Sequence, residues 1–243
     1  MFIGKAGDWK KERKEFPKRL GNSKERERRN KDWGIASFDA LVSCPSFPSF
    51  IHTRSKKMRI VAGKFRSRLI QAPKGDQTRP TLDKVKEAVF SRIGPYFDGG
   101  VMLDLFAGSG SMGLEALSRG VEHVYFVDRS PAAAAVIKAN IASLQVEAQC
   151  DVWKCDSFAA LRRLAGMGVQ LDLVYLDPPY QKQQLHKIMQ QLDALNLIRD
   201  HGQVILESLK EDEFDEAYHQ LHRVKEATYG ISRISYYRKE TEL

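Results

Sequence analysis

Long apolar segments are absent from this chain. Its 243 residues, 42% of them hydrophobic, contain no uninterrupted apolar stretch that approaches the length of about 18 residues typical of a membrane-spanning helix. Cysteine is scarce too: only three occur, and Cys150 and Cys155 stand five apart without partner histidines. That spacing is not typical of a zinc site, so we expect reduced thiols, no bound metal and a cytoplasmic protein. The length suits one sizeable core in a single domain.

Positive charge is concentrated at the amino-terminal end. Residues 1–57 hold 15 Lys and Arg against 7 Asp and Glu, whereas residues 58–243 hold 24 of each. The net charge of +8 therefore belongs to the first 57 residues, and the alkaline pI does not by itself indicate a nucleic-acid binder. Within the remainder, residues 58–92 carry nine basic and three acidic residues. This local basic segment is the candidate contact with phosphates.

The first 57 residues differ from the rest in composition. They contain a mixed charge run at 24–31 and a stretch at 44–50 without usable periodicity. We therefore expect a disordered basic leader, which lacks the charged-then-apolar order of a secretory signal. A second interpretation is that Met58 is the true start of the protein. Either way, the folded domain is predicted at 58–243.

From Met58 onward, strand and helix patterns alternate. We expect a short hairpin around Lys64 and Phe65, and a helix from Thr81 to about Ile93. Strands are predicted at 101–106, 123–127, 148–154, 171–176 and 203–207, and helices near 112–119, 132–144, 157–166 and 182–195. This alternation is typical of a doubly wound α/β sheet. A final hairpin, 222–227 with 231–238, predicts an antiparallel strand at one edge.

A glycine-rich turn follows the first of these strands. Gly108, Gly110 and Gly113 lie between an apolar strand and a helix, where glycines allow a tight turn, close approach of a ligand and close helix packing. Eighteen residues after Gly110, Asp128 ends the next strand and can bind both hydroxyls of a ribose. These features fit NAD and S-adenosylmethionine equally.

Two further carboxylates favour S-adenosylmethionine. Asp104 lies near the end of the first strand, where it can meet the amino-acid portion of the cofactor, and Asp156 follows the third strand, where it can accept from the adenine amine. The alternative is that both residues only cap the following helices. The predicted cofactor-binding set is Asp104, Phe106, Ala107, Gly108, Ser109, Gly110, Asp128, Arg129, Asp156 and Ser157.

The tetrapeptide Asp177-Pro178-Pro179-Tyr180 closes the apolar run 171–176. The exocyclic amine of a base is a poor nucleophile, because its lone pair is delocalised into the ring. Acceptance of its two N–H groups by the Asp177 carboxylate and the Pro178 carbonyl favours the pyramidal geometry needed for attack on a methyl group. Tyr180 can stack on the base. We therefore predict Asp177, Pro178 and Tyr180 as catalytic; the alternative is a proline-rich turn with a surface aspartate.

Together these residues resemble the bacterial 16S ribosomal RNA guanine-N2 methyltransferases of the RsmD type. The resemblance covers about 58–239 and rests on the segments 59–68, 79–90, 104–117 and 177–180. It implies a seven-stranded Rossmann-like class I methyltransferase fold, S-adenosylmethionine as cofactor, and a guanine of 16S rRNA, presented on an assembling small subunit, as substrate. We expect a monomer. The alternatives are a DNA adenine-N6 methyltransferase and a non-catalytic module with the same fold; a dehydrogenase lacks an obvious hydride-transfer His or Lys/Tyr pair.

Basic residues of the amino-terminal segment fit an RNA substrate. We expect them to line one side of the active-site mouth and hold the RNA backbone. Ordinary solvated charges on an edge hairpin are the simpler interpretation. The predicted RNA-binding set is Arg59, Lys64, Arg66, Arg68, Arg79 and Thr81.

Overall fold

The computed structural model describes residues 58–73, 83–178 and 182–240. The predicted leader 1–57 therefore lies outside the described residues, and so do Arg79, Thr81 and Tyr180. A short hairpin pairs β1 (Met58–Arg59) with β2 (Leu69–Ile70) in antiparallel register. No described helix is long and apolar enough to cross a membrane.

Strands and helices alternate through the rest of the chain. The strands are β3 (Val101–Leu105), β4 (His123–Val127), β5 (Cys150–Trp153), β6 (Leu171–Leu176), β7 (Ile198–Leu209), β8 (Ala217–Tyr218), β9 (Leu221–Tyr229) and β10 (Ser232–Lys239). The helices are α1 (Asp83–Ile93), α2 (Ser111–Ser118), α3 (Pro131–Leu144), α4 (Ser157–Gly166) and α5 (Lys182–Ala194), with a 3₁₀ turn at Glu147–Gln149. The predicted strands and helices are thus observed, apart from the predicted helix start at Thr81, which lies outside the described residues.

The strands form one sheet in the order β5-β4-β3-β6-β7-β10-β9-β8. The pairs from β5 to β7 are parallel, because each consecutive strand is reached through a helical crossover. The predicted antiparallel edge is confirmed and is three strands wide, since β10 pairs antiparallel with both β7 and β9. The described sheet has eight strands rather than the seven expected, because the two-residue β8 adds to β9.

Helices cover both faces of the sheet, and each face has its own apolar core. On one face Met102, Leu173 and Ile205 pack with α1, α2 and α3. On the other face Leu103, Val174 and neighbouring residues pack with α4 and α5. Buried parallel strands require this double cover, since their side chains alternate between the two faces.

A buried carboxylate on α2 holds the segment that follows β1. Glu115, fully buried, accepts hydrogen bonds from Val61 N at 2.7 Å and Ala62 N at 2.9 Å. Arg119 Nε donates to the same carboxylate at 2.8 Å, and Lys86 Nζ lies 3.8 Å from it. Burial lowers the pKa of Lys86, while the charge of Glu115 opposes that change. The segment is therefore fixed through a buried ionic network rather than through apolar contacts alone.

Candidate active site

The glycine turn connects β3 to α2. Gly108 and Gly110 have positive φ angles of 56° and 76°, a region that glycine enters freely. Phe106 also has a positive φ, of 77°, which is rare for a bulky residue. A Cβ on Gly113 would lie 2.4 Å from the ring of Phe126, so glycine is needed for α2 to pack this closely on β4. The tight turn and the close helix packing predicted for these glycines are confirmed.

Asp128 fixes the glycine turn from the end of β4. Its Oδ2 accepts a hydrogen bond from Gly108 N at 2.9 Å, and its Oδ1 accepts one from Ser130 N at 2.8 Å. Each carboxylate oxygen has two lone pairs, so this partly buried group keeps capacity for the two hydroxyls of a ribose. Arg129 lies exposed beside it. The ribose role of Asp128 stays a prediction.

Asp104 lies beneath the glycine turn and is only 2% exposed. Its Oδ2 accepts a hydrogen bond from Gly113 N at 2.9 Å, so it does anchor the first turn of α2. Burial, reinforced by the charge of Asp128 and opposed by that hydrogen bond, raises the pKa of Asp104 to about 7. Ser111, at the start of α2, has a buried hydroxyl without a hydrogen-bond partner in the described part of the chain. Two buried polar groups here therefore lack full compensation from the protein.

Asp156 caps α4. Its Oδ1 accepts a hydrogen bond from Phe158 N at 2.9 Å, while the side chain remains exposed and Ser157 is buried. The capping alternative is thus observed. It leaves the second carboxylate oxygen accessible at the carboxyl end of β5, and contact with an adenine amine stays a prediction.

Asp177 lies where the two sequence motifs meet. The pairing of Leu105 with Leu176 places the end of β6 directly beside the end of β3, so Asp177 lies next to the glycine turn. Asp177 and Pro178 are partly buried. Burial, with smaller contributions from the charges of Glu207 and Asp104, raises the pKa of Asp177 to about 8. Tyr180 lies outside the described residues.

The structure adds Glu207 and Tyr175 to this site. The Tyr175 hydroxyl, on β6, donates to Glu207 Oε2, on β7, at 2.6 Å. Burial and the charges of Glu207, Asp177 and Asp104 raise the pKa of Tyr175 well above its ordinary value. Neither residue was predicted from the sequence. The signal was the alternation of side chains along a strand, which places Glu207 at the end of a predicted strand and two residues from Ile205 on the same face.

The predicted RNA-binding residues of the hairpin do not gather at this site. Lys64 N donates to Ser118 O at 2.8 Å, and its ammonium lies 3.3 Å from Gln149 Oε1. An Arg68 guanidinium nitrogen donates to Ser143 O at 2.7 Å. These partners lie at the ends of α2 and α3 and just before β5, which is the amino-terminal edge of the parallel strands.

That placement corrects the expectation for Lys64, Arg66 and Arg68. They cannot line a mouth at the carboxyl edge, because the hairpin turn points to the opposite edge of the sheet. Lys64 and Arg66 instead border a surface cavity of about 510 Å³. Arg59 lies nearer the start of α1, where it pairs with Asp83 at 2.8 Å. Contact with RNA stays a prediction for all four.

Similarity to known proteins agrees with the motifs and the fold. The sequence model of a family described as "Conserved hypothetical protein 95" matches residues 58–238. A Bacillus subtilis protein named "Putative rRNA methyltransferase YlbH" is 40% identical over 182 residues, which cover 75% of this chain and 99% of that protein. The chain belongs to the RsmD-type family.

Other relatives of the family extend this comparison. Ribosomal RNA small subunit methyltransferase D of Escherichia coli K12 is 32% identical over 158 residues, covering 65% of this chain and 75% of that protein. A solved Escherichia coli structure named "Putative methyltransferase yhhF" superposes with a TM-score of 0.68 at 25% identity, covering 76% of this chain and 99% of that one. The mostly parallel sheet covered by helices is thus a class I methyltransferase fold, as predicted.

Proposed function

We propose that this RsmD-type protein transfers the methyl group of S-adenosylmethionine to the N2 amine of a guanine in 16S ribosomal RNA. The observation that carries the proposal is the placement of Asp177 and Pro178 beside the glycine turn, at adjoining carboxyl ends of β6 and β3. Ligands of open α/β sheets bind at this edge. The names of the relatives, rRNA methyltransferase and ribosomal RNA small subunit methyltransferase D, support RNA as the substrate.

The residues around the glycine turn fit the cofactor. An ammonium group near Asp104 would compensate its buried carboxylate, and a polar ligand atom would satisfy the Ser111 hydroxyl. In this proposal Asp128 binds the ribose and Asp156 accepts from the adenine amine. The remaining members of the proposed set are Phe106, Ala107, Gly108, Ser109, Gly110, Arg129 and Ser157. Bound there, S-adenosylmethionine supplies an electrophilic methyl group, and no metal is required.

The protein's part in the reaction is to orient the amine. In its ionised form Asp177 accepts one N–H of the exocyclic amine, and the Pro178 carbonyl accepts the other. Both acceptors directly follow the buried strand β6, and two hydrogen bonds from the amine to them would direct the lone pair of the nitrogen out of the ring plane. Because the pKa of Asp177 is raised to about 8, Asp177 is also suited to receive the proton that the amine releases after methyl transfer.

The base and its context belong to the proposal as well. We propose an assembling small subunit as the substrate and a monomeric enzyme. Domain 58–243 carries the activity, since the family match begins at residue 58.

Nucleoside analysis tests this function. Purified protein is incubated with labelled S-adenosylmethionine and small ribosomal subunits that lack the modification, and the RNA is digested to nucleosides. We expect N2-methylguanosine, and Asp177→Ala should lower its rate on the order of 100-fold or more, as loss of a preorganised polar contact does elsewhere. Cofactor affinity should stay within a few-fold.

An Asp98→Ala variant, in which an exposed carboxylate is removed, serves as the matched control and should keep full activity. Methylated adenosine would retain the mechanism and refute the proposed base. Bound cofactor without label on RNA would refute the proposed enzyme.

A further inference from the structure

We propose that Glu207 accepts a hydrogen bond from the N1–H group beside the methylated N2 amine, and that this contact selects guanine over adenine. The inference rests on the proposed function, because it concerns how the same site chooses its base. Asp177 and the Pro178 carbonyl only accept N–H bonds from an exocyclic amine. Guanine N2 and adenine N6 both offer such an amine, so another group must distinguish the two bases.

The register of the sheet places Glu207 next to Asp177. Leu176 of β6 pairs with Leu206 of β7, so the following residues, Asp177 and Glu207, are neighbours at the carboxyl edge. Adjacent strands lie about 4.8 Å apart. Both side chains project to the face that carries Tyr175 and Ile205, because residues two apart in a strand share a face.

A hydrogen bond fixes the orientation of Glu207. Tyr175 is 3% exposed and its hydroxyl donates to Oε2 at 2.6 Å. Within the described residues Oε1 forms no hydrogen bond or ion pair, and Glu207 remains partly exposed. The charge of Glu207 also contributes to the raised pKa of Asp177, as expected for adjoining carboxyl groups. Oε1 is therefore an available acceptor beside the proposed position of the amine.

The two bases differ at the atom that this acceptor would face. In guanine, two ring nitrogens flank the N2 amine: N1 carries a hydrogen, which a carboxylate can accept, and N3 is a bare acceptor, so the proposal requires N1 to face Glu207. In adenine, the ring nitrogen next to the N6 amine is a bare acceptor, whose lone pair opposes a carboxylate. A site built to pair with one donor discriminates strongly against the base that lacks it. The Glu207 carboxylate thus complements guanine, whereas with adenine the carboxylate and the bare ring nitrogen would be two acceptors facing each other.

The test is a change of base preference in Glu207→Gln. The glutamine amide can still accept from Tyr175, so the side chain keeps its anchor, while its NH₂ group can donate to adenine N1. The probes are unmodified small subunits with the native guanosine, and subunits with adenosine at that same position. We expect Glu207→Gln to methylate guanosine roughly 10- to 100-fold more slowly and to raise the adenosine-to-guanosine rate ratio at least tenfold.

Tyr175→Phe and Glu213→Gln are the matched controls. Tyr175→Phe removes the anchoring hydroxyl but keeps the carboxylate, and Glu213→Gln removes an exposed charge elsewhere; neither should raise the ratio. An unchanged ratio in Glu207→Gln, or loss of both activities that Tyr175→Phe reproduces, would overturn this inference and leave the proposed function intact. Absence of N2-methylguanosine with the wild-type protein would overturn both.

Discussion

Replacement of Asp104 by asparagine should stabilise the protein, and increasingly so at higher pH. The carboxylate is 2% exposed, and its pKa is raised from the ordinary 3.8 to about 7, first by burial. Asparagine has nearly the same shape, and its amide oxygen can still accept the hydrogen bond from Gly113 N. The variant therefore removes an ionisable group with little loss of packing.

The magnitude follows from linkage between proton binding and folding. With a raised pKa in the folded state, the protonated carboxyl contributes stability that is fully present below pH 3.8 and is lost as the pH rises through about 7. At about 1.4 kcal/mol per pH unit, the loss for the wild-type protein approaches about 4 kcal/mol above pH 7. Between pH 5 and pH 8 the advantage of Asp104→Asn should widen by about 2 to 3 kcal/mol.

Urea unfolding at pH 5, 6.5 and 8 measures this difference, with Asp98→Asn as the exposed control. A stability difference that does not change with pH would show that Asp104 is ionised throughout, and would refute the argument. A variant less stable than wild type at pH 8 would show that the charge of Asp104 stabilises the start of α2. Whatever the stability result, S-adenosylmethionine should bind Asp104→Asn more weakly than the wild-type protein, because a neutral amide cannot balance a cationic group.

Three further outcomes are expected. The methylation rate should rise as the pH rises through about 8, since ionised Asp177 is the acceptor. In Glu207→Gln the curve of normalised rate against pH should move to lower pH, because a neighbouring negative charge is removed. An unchanged midpoint would count against electrostatic coupling between Glu207 and Asp177. Glu115→Ala should lower the unfolding free energy by about 3 to 5 kcal/mol, because Lys86 and two backbone N–H groups lose their buried partner. Urea unfolding measures this loss, and Glu115→Gln, which keeps an acceptor, should lose less stability than Glu115→Ala. Deleting residues 1–57 should preserve thermal stability and activity, because the family match begins at residue 58, and an RNA-inactive truncation would place the leader in the substrate site.

Local sequence patterns predicted the strands, the helices and the edge of the sheet that carries the candidate site. Alternating apolar strands and helical crossovers require parallel strands, and parallel strands bring their carboxyl ends to one edge. Asp104 lies near the end of β3, and the glycine turn, Asp128 and Asp177 each follow a strand. Their convergence was therefore predictable from their positions along the chain. Gly113 was likewise interpretable, because a glycine opening a helix after a strand implies close packing.

Other features depend on pairings between distant segments. The strand register alone places Glu207 beside Asp177, and a shift of one residue would turn its side chain to the opposite face. The sequence around Glu115 indicates only a helix residue, and its role as a buried acceptor depends on the segment after β1 that packs on it. The two-residue β8 has no pattern of its own.

The hairpin shows the division between sequence and structure most clearly. The sequence determined that a basic hairpin precedes the sheet, since composition and turn residues are local properties. Only the tertiary structure decided that its turn contacts Ser118, Ser143 and Gln149 at the amino-terminal edge. The direction in which an element docks depends on shape and on polar partners contributed from 50 or more residues away. No local pattern of apolar or charged residues encodes those partners.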